Sequence, residues 1–267
     1  MAMEVRLLDD RSLAIPLSRS QVEAANRLHE HLKQWRQSDA ALTALAQALP
    51  GFDMESTILK VVSINALYGT NVFAILRMAE HVFLVMNGDG RALRDIDLVE
   101  RLAHLPATSE SGVARTHTSF ASKFAHFFID PERFPIYDSY AVKMVGHHLG
   151  LAQYGGHRER GYRGFVTEFA MLKCAVDPGL TNRQLDRYLW VAGQYREYLK
   201  NPRSPINREL RSLFEAPPPE CEPDLAQIAL GNLDCGAGRP GGFTGVQRVD
   251  RSGAPNRRSS GACTTRA

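Results

Sequence analysis

Cysteine is scarce in this sequence and never paired. The four residues, at positions 174, 221, 235 and 263, form no CxxC motif. Their spacing argues against a disulfide framework or a structural zinc site and fits a reducing, cytoplasmic setting. Long apolar runs are missing as well. Polar residues interrupt every hydrophobic stretch, and Asp9 and Asp10 stand where the core of a signal peptide would begin. Neither a membrane span nor a signal peptide is therefore expected. Charge of one sign is not in excess: 32 Lys and Arg against 29 Asp and Glu leave +3, too little by itself to mark a nucleic-acid binder. What is present is a globular composition, 44% hydrophobic and 23% charged over 267 residues, sufficient for one sizeable core.

The periodicity is helical almost throughout. Residues 1–17 alternate loosely and contain Pro16, which reads as an extended arm or short hairpin. Val22, Ala25, Leu28 and Leu32 then recur at helical spacing behind the caps Ser18 or Ser20, predicting a helix to about residue 37 and a second over 40–49. Asp53 caps a third, which ends near Tyr68 and Gly69. Further helices are expected over 71–86, 95–105, 113–128, 138–149, 164–176, 182–200 and 207–214. Thr181 and Gln184 form a capping box for the helix over 182–200. The fold class is all-α, with the helical domain spanning 18–215. Beyond it the composition turns to Pro, Gly, Ser and Arg, so 216–267 is expected to be a disordered tail. From Arg239 onward six Arg and one Asp give 6 − 1 = +5, which suits electrostatic contact with nucleic acid or a merely solvating end.

Chemistry concentrates between Ser119 and Tyr140. Ser119-Phe-Ala-Ser-Lys123-Phe-Ala-His126-Phe-Phe places one lysine in an apolar helical stretch. Desolvation there would lower its pKa and free the neutral amine as a nucleophile. After Pro131 and Pro135, Pro135-Ile-Tyr-Asp138 forces an extended approach and delivers Asp138 to a helix N-terminus.

Ser-Lys-x-x-x-x-Phe followed by Pro-Ile-x-Asp and a helix resembles the Lys-to-Asp core of helix-hairpin-helix DNA glycosylases of the 8-oxoguanine type, and the bacterial 8-oxoguanine DNA glycosylase-like fold proteins in particular. The resemblance spans about 20 residues at motif level and residues 55–200 at the level of the fold. It implies a DNA partner, base excision with abasic-site cleavage through a Schiff base, and no cofactor. Carried over by position, Lys123 is the nucleophile and Asp138 stabilises the cationic sugar. Ser119, Ser122, His126, Tyr137 and Tyr140 are the substrate-binding candidates, and Asn65, Tyr68 and Asn71 come from an upstream helix and turn. Thr118 and the basic residues Arg158, Arg160 and Arg163 are the candidates for the nucleic-acid backbone. One departure matters: the Gly-x-Gly turn that should precede the lysine is replaced by Thr118-Ser119-Phe120-Ala121.

Each residue also has a plain structural reading. Lys123 can snorkel from an aromatic face, Asp138 can be only a helix cap, His126 a hydrogen-bonded core residue, and Tyr137 and Tyr140 core aromatics. The arginines can belong to a solvated loop. His147, His148 and His157 suggest no metal site, since adjacent histidines on a helix point apart. The alternatives are a nucleic-acid-binding or defence-associated module that keeps the fold without excision, and a helical protein-interaction domain.

Overall fold

The computed structural model describes residues 13–88, 96–107, 114–151 and 161–230, and all of them belong to one compact unit, Met1–Cys235. Among the described residues the chain is helical: α1 Arg19–Glu30, α2 Lys33–Ala48, α3 Met54–Tyr68, α4 Ile75–Asn87, α5 Ile96–Ala103, α6 Thr118–Phe128, α7 Ser139–His148, α8 Gly161–Val176, α9 Asn182–Lys200, α10 Arg208–Glu215 and α11 Glu222–Leu230. The exception is a small antiparallel pair, β1 His104–Leu105 and β2 Arg115–Thr116, where the sequence predicted helix. β2 leads into α6, which starts at Thr118.

The caps form as the sequence predicts. Thr181 with Gln184 makes its capping box and Asp53 accepts from Ser56 N, while of Ser18 and Ser20 it is Ser18 that caps α1, in a box with Gln21 that the sequence reading did not include. Gly69 closes α3 in the left-handed conformation, φ 55°. The first boundary differs from expectation. The chain breaks at His31 and Leu32, six residues early, because Leu32 turns into the core and the new helix start is held from a distance. The Glu209 carboxylate accepts from Gln34 N and Trp35 N at 3.0 to 3.4 Å.

α9 is the spine. It packs against α1 on one side and α7 on another, and α10 and α11 also touch it. Phe120, Phe124, Leu185, Tyr188 and Leu189 sit at the centre of the apolar core. The end of the N-terminal arm is tied to α7: Ile15 N donates to His148 O and Ile15 O accepts from His148 Nδ1. Residues 1–12 lie outside the described residues. The boundary at 216 needs correction. After Pro217 and Pro218 a 3-10 turn, Pro219–Cys221, leads into α11, which buries Leu225 and Ile228 against α1. A short proline-flanked amphipathic segment is masked by the composition around it. Residues 231–267 lie outside the described residues.

Three imidazoles are buried neutral. Burial pushes His29, His126 and His148 down from 6.5 to about 4. The partners fix two tautomers: Nδ1–H of His126 donates to Phe134 O, and Nδ1–H of His148 donates to Ile15 O while Nε2 accepts from Tyr188.

Two outcomes follow from this packing. Ile228→Ala should lower stability by about 3 kcal/mol in urea titrations, whereas a solvated tail would leave it unchanged. Below pH 6.5 the unfolded chain takes up protons that the three folded imidazoles refuse until about pH 4. The stability these imidazoles contribute should therefore be flat above pH 7 and fall through that window, by up to about 4 kcal/mol per pH unit for the three together, opposed by Asp186, whose raised pKa acts with the reverse sign. His148→Asn should make the fall shallower by roughly a third.

Candidate functional site

The connection from α6 to α7 has no regular structure, and side chains satisfy it atom by atom. His126 binds Phe134 O, Tyr162 OH donates to Pro135 O at 3.0 Å, and Ser122 Oγ accepts from Tyr137 N at 3.0 Å. Both oxygens of Asp186 lie 3.2 Å from Ile136 N. Clamped in this way, the segment delivers Asp138 as N-cap of α7. Its Oδ1 accepts from Tyr140 N and Ala141 N at 2.9 and 2.8 Å, so the cap does not use Oδ2.

Beside this clamp lies a cavity of about 650 Å³. Lys123 and Asp138 both line it. Lys123 is 5% exposed, and its Nζ donates to Ser119 Oγ, one turn earlier on α6, at 2.6 Å. Burial lowers its pKa, opposed by the carboxyl groups of Asp138 and Asp186. The same burial pushes Asp186 well above the usual carboxylate range, against the pull of Ile136 N–H. Because His126 is neutral at ordinary pH, the 3.7 Å approach of its Nδ1 to Asp186 is not an ion pair. Structural placement, rather than proton transfer, is the role this geometry gives His126.

The opposite wall is charged. Asp39 of α2 accepts from Tyr68 OH, from Arg183 at 2.6 Å and from Arg187 at 3.4 Å. Burial alone would raise the pKa of Asp39, but Arg183 and the Tyr68 hydroxyl outweigh it and hold the carboxyl below its ordinary value. Trp35 stands edge-on to Tyr68 at 4.9 Å and tilts against Trp190 at 4.5 Å between centroids. The guanidinium of Arg183 lies 5.7 Å from the Phe127 ring centre.

Of the residues singled out from sequence, Ser119, Lys123, His126, Asp138, Tyr140 and Tyr68 line the cavity. The others do not. Ser122 is fully buried and holds the clamp, and Tyr137 turns edge-on to Tyr162 and Phe165 in the core. Asn65 is spent on its own loop, where Nδ2 donates to Val72 O and Oδ1 accepts from Val72 N and Thr70 Oγ1. Asn71 is exposed, with a left-handed φ of 56° that suits a turn. Thr118 opens α6 away from the cavity lining, and Arg163 pairs with Asp97 of α5. Arg158, Arg160 and His157 lie outside the described residues. Among the described residues no group of three His, Cys, Asp or Glu could hold a metal ion.

Sequence reasoning missed His29, Trp35, Asp39, Arg183, Asp186, Arg187 and Trp190. One signal was available. Arg183, Asp186, Arg187, Trp190 and Gln194 recur at three- and four-residue spacing, a polar stripe along a helix otherwise rich in core residues.

A family model described as HI_0787_N, N-terminal domain, matches residues 21–133, a stretch that holds Lys123 and stops before Asp138. An uncharacterized protein of Haemophilus influenzae (strain ATCC 51907 / DSM 11121 / KW20 / Rd) is 29% identical over 132 residues, which are 49% of this chain and 62% of that protein. The matched region thus spans under two thirds of that relative's length. No solved structure matches the chain.

Proposed function

We propose that the protein binds DNA, receives an extruded nucleotide in the cavity and breaks its N-glycosidic bond, with Lys123 as nucleophile and Asp138 as the stabilising carboxylate. The observation that carries this reading is the meeting of a desolvated amine and an orientationally fixed carboxylate on one aromatic-lined cavity. A nucleoside fits such a site in size and character: flat rings from Trp35, Phe127, Tyr140 and Trp190 for the base, charged and polar groups for the sugar.

The chemistry balances without a cofactor. The lone pair of the neutral Lys123 Nζ forms a bond to C1′ as the C1′–N bond of the base breaks, and the base leaves with that electron pair and takes a proton. Cationic character at the sugar is met by Asp138, whose free Oδ2 is available because the cap occupies Oδ1. The sugar ring then opens to a protonated Schiff base at Nζ. That iminium acidifies C2′–H, and loss of the proton expels the 3′-phosphate, which would cleave an abasic site.

A second reading, a nucleic-acid-binding module without excision, is favoured by one feature. Thr118-Ser119-Phe120-Ala121, which stand where the resemblance implies a Gly-x-Gly turn, form the first turn of α6, so no glycine there lets the backbone close on a phosphate.

Borohydride trapping separates the two. Incubated with duplexes carrying 8-oxoguanine, uracil or an abasic site, wild type should yield a covalent adduct that vanishes in Lys123→Ala. Asp138→Asn should slow base excision by about 100-fold while still trapping on the abasic duplex. DNA binding with no adduct on any substrate would establish the binding module instead.

A further inference from the structure

α2 is an unusual wall for a binding cavity. In sixteen residues it buries two side chains, Asp39 and Leu42, whereas the twelve residues of α1 bury six. Helices in proteins are held mainly by an apolar face, and α2 has almost none. Its attachment is polar instead. Asp39 grips Arg183 and Arg187 of α9 and the Tyr68 hydroxyl of α3, and Glu209 of α10 accepts from the first amides of α2. Arg187 also reaches Glu30 at 3.5 Å, at the end of α1. Its apolar contacts are few: Leu42 is fully buried, and Trp35 packs against Tyr68 and Trp190.

The closed packing is also incompletely satisfied. His29 Nδ1 and Arg187 Nε are buried with no hydrogen-bond partner among the described residues, and both residues line the cavity that α2 walls. Unsatisfied buried polar groups raise the energy of the state that contains them, so they narrow the gap between closed and open arrangements. Segments with few buried apolar contacts are those that open locally while the rest of the fold stays intact.

We infer that α2 is a hinged wall of the cavity, latched by Asp39, that swings away from α9 about the His31–Leu32 joint to admit a ligand. Asp39 is a positioning residue in this arrangement: it sets where Trp35 and the two arginines stand and reacts with nothing. Opening parts Trp35 from Trp190, uncovers the face of Trp190 for a flat ring, and frees the guanidinium groups for hydrogen-bond acceptors. The inference concerns access and stands apart from whether Lys123 performs excision.

The chain contains two tryptophans, and both report on this movement. In hydrogen exchange on the full chain, α2 amides should open independently of α3 and α9 and exchange at least about tenfold faster. Asp39→Asn should accelerate α2 by about a further tenfold while leaving α3 and α9 unchanged, and acrylamide should quench Trp190 more strongly when Asp39→Asn is added to Trp35→Phe. Glu209→Gln, at the other attachment, should give the same local acceleration and serves if Asp39→Asn does not fold. Exchange of α2 in step with α9, or uniform acceleration of every helix by both variants, would overturn the latch. Neither outcome bears on the borohydride adduct, so the two readings fail separately.

Discussion

Between Phe134 and Asp138 the partly buried backbone crosses from α6 to α7, and side chains satisfy its polar atoms. The Ile136 amide turns toward α9 and meets both oxygens of Asp186. A buried backbone donor without a partner costs on the order of 1–3 kcal/mol, so this one contact fixes the register of the connection against the spine helix. Once Ile136 is fixed, Tyr137 N falls on Ser122 Oγ, and Asp138 arrives at the start of α7 with Oδ1 committed to the cap. The cavity wall is a consequence of this clamp. Pro135 contributes by holding the backbone extended and by lacking a donor that would need a partner of its own.

The clamp also sets the electrostatics. Asp186 is buried close to Lys123, and neither finds the water that would favour its charged form; the carboxyl is pushed up and the amine down, with each charge partly supporting the other. His126 is neutral at ordinary pH for the same reason. Across from it, Asp39 retains its charge because Arg183, Arg187 and Tyr68 converge on it. One half of the cavity therefore holds an amine whose pKa is lowered by burial, and the other a carboxylate gripped by two arginines. Both halves depend on α9, which supplies Asp186 to the first and the two arginines to the second.

Local signals were legible in the sequence where the physics is local. Ser18, Asp53 and Thr181 cap helices because an N-cap needs only its own next few residues. Lys123 and Asp138 could be matched to one site because the Pro135 connection between them is short. What escaped was set by distant partners. The break at His31 has no glycine or proline, and it is stabilised by Glu209, 175 residues from Gln34. The structural duties of Ser122 and Asn65 were hidden as well, since a hydroxyl or amide in a sequence carries no mark of whether it faces a ligand or its own backbone. α11 was lost for a third reason: nine helical residues between prolines and a Gly-rich end resemble the composition of their surroundings more than that of a core element.

The contrast between α9 and α2 gives the site its mechanical character. α9 is locked by neighbours on several sides and by buried Leu185, Tyr188 and Leu189, so the groups it presents to the cavity have little freedom. α2 presents Trp35 and Asp39 from a helix with almost no apolar anchorage, held by ion pairs whose arginine partners remain 24% to 30% exposed. Partial exposure weakens such pairs by screening, whereas the apolar contacts of α9 are indifferent to salt. The cavity therefore lies between a helix with many buried side chains and one with two, and Lys123 and Asp138 stand on the α6–α7–α9 side of it, across from Trp35 and Asp39 of α2.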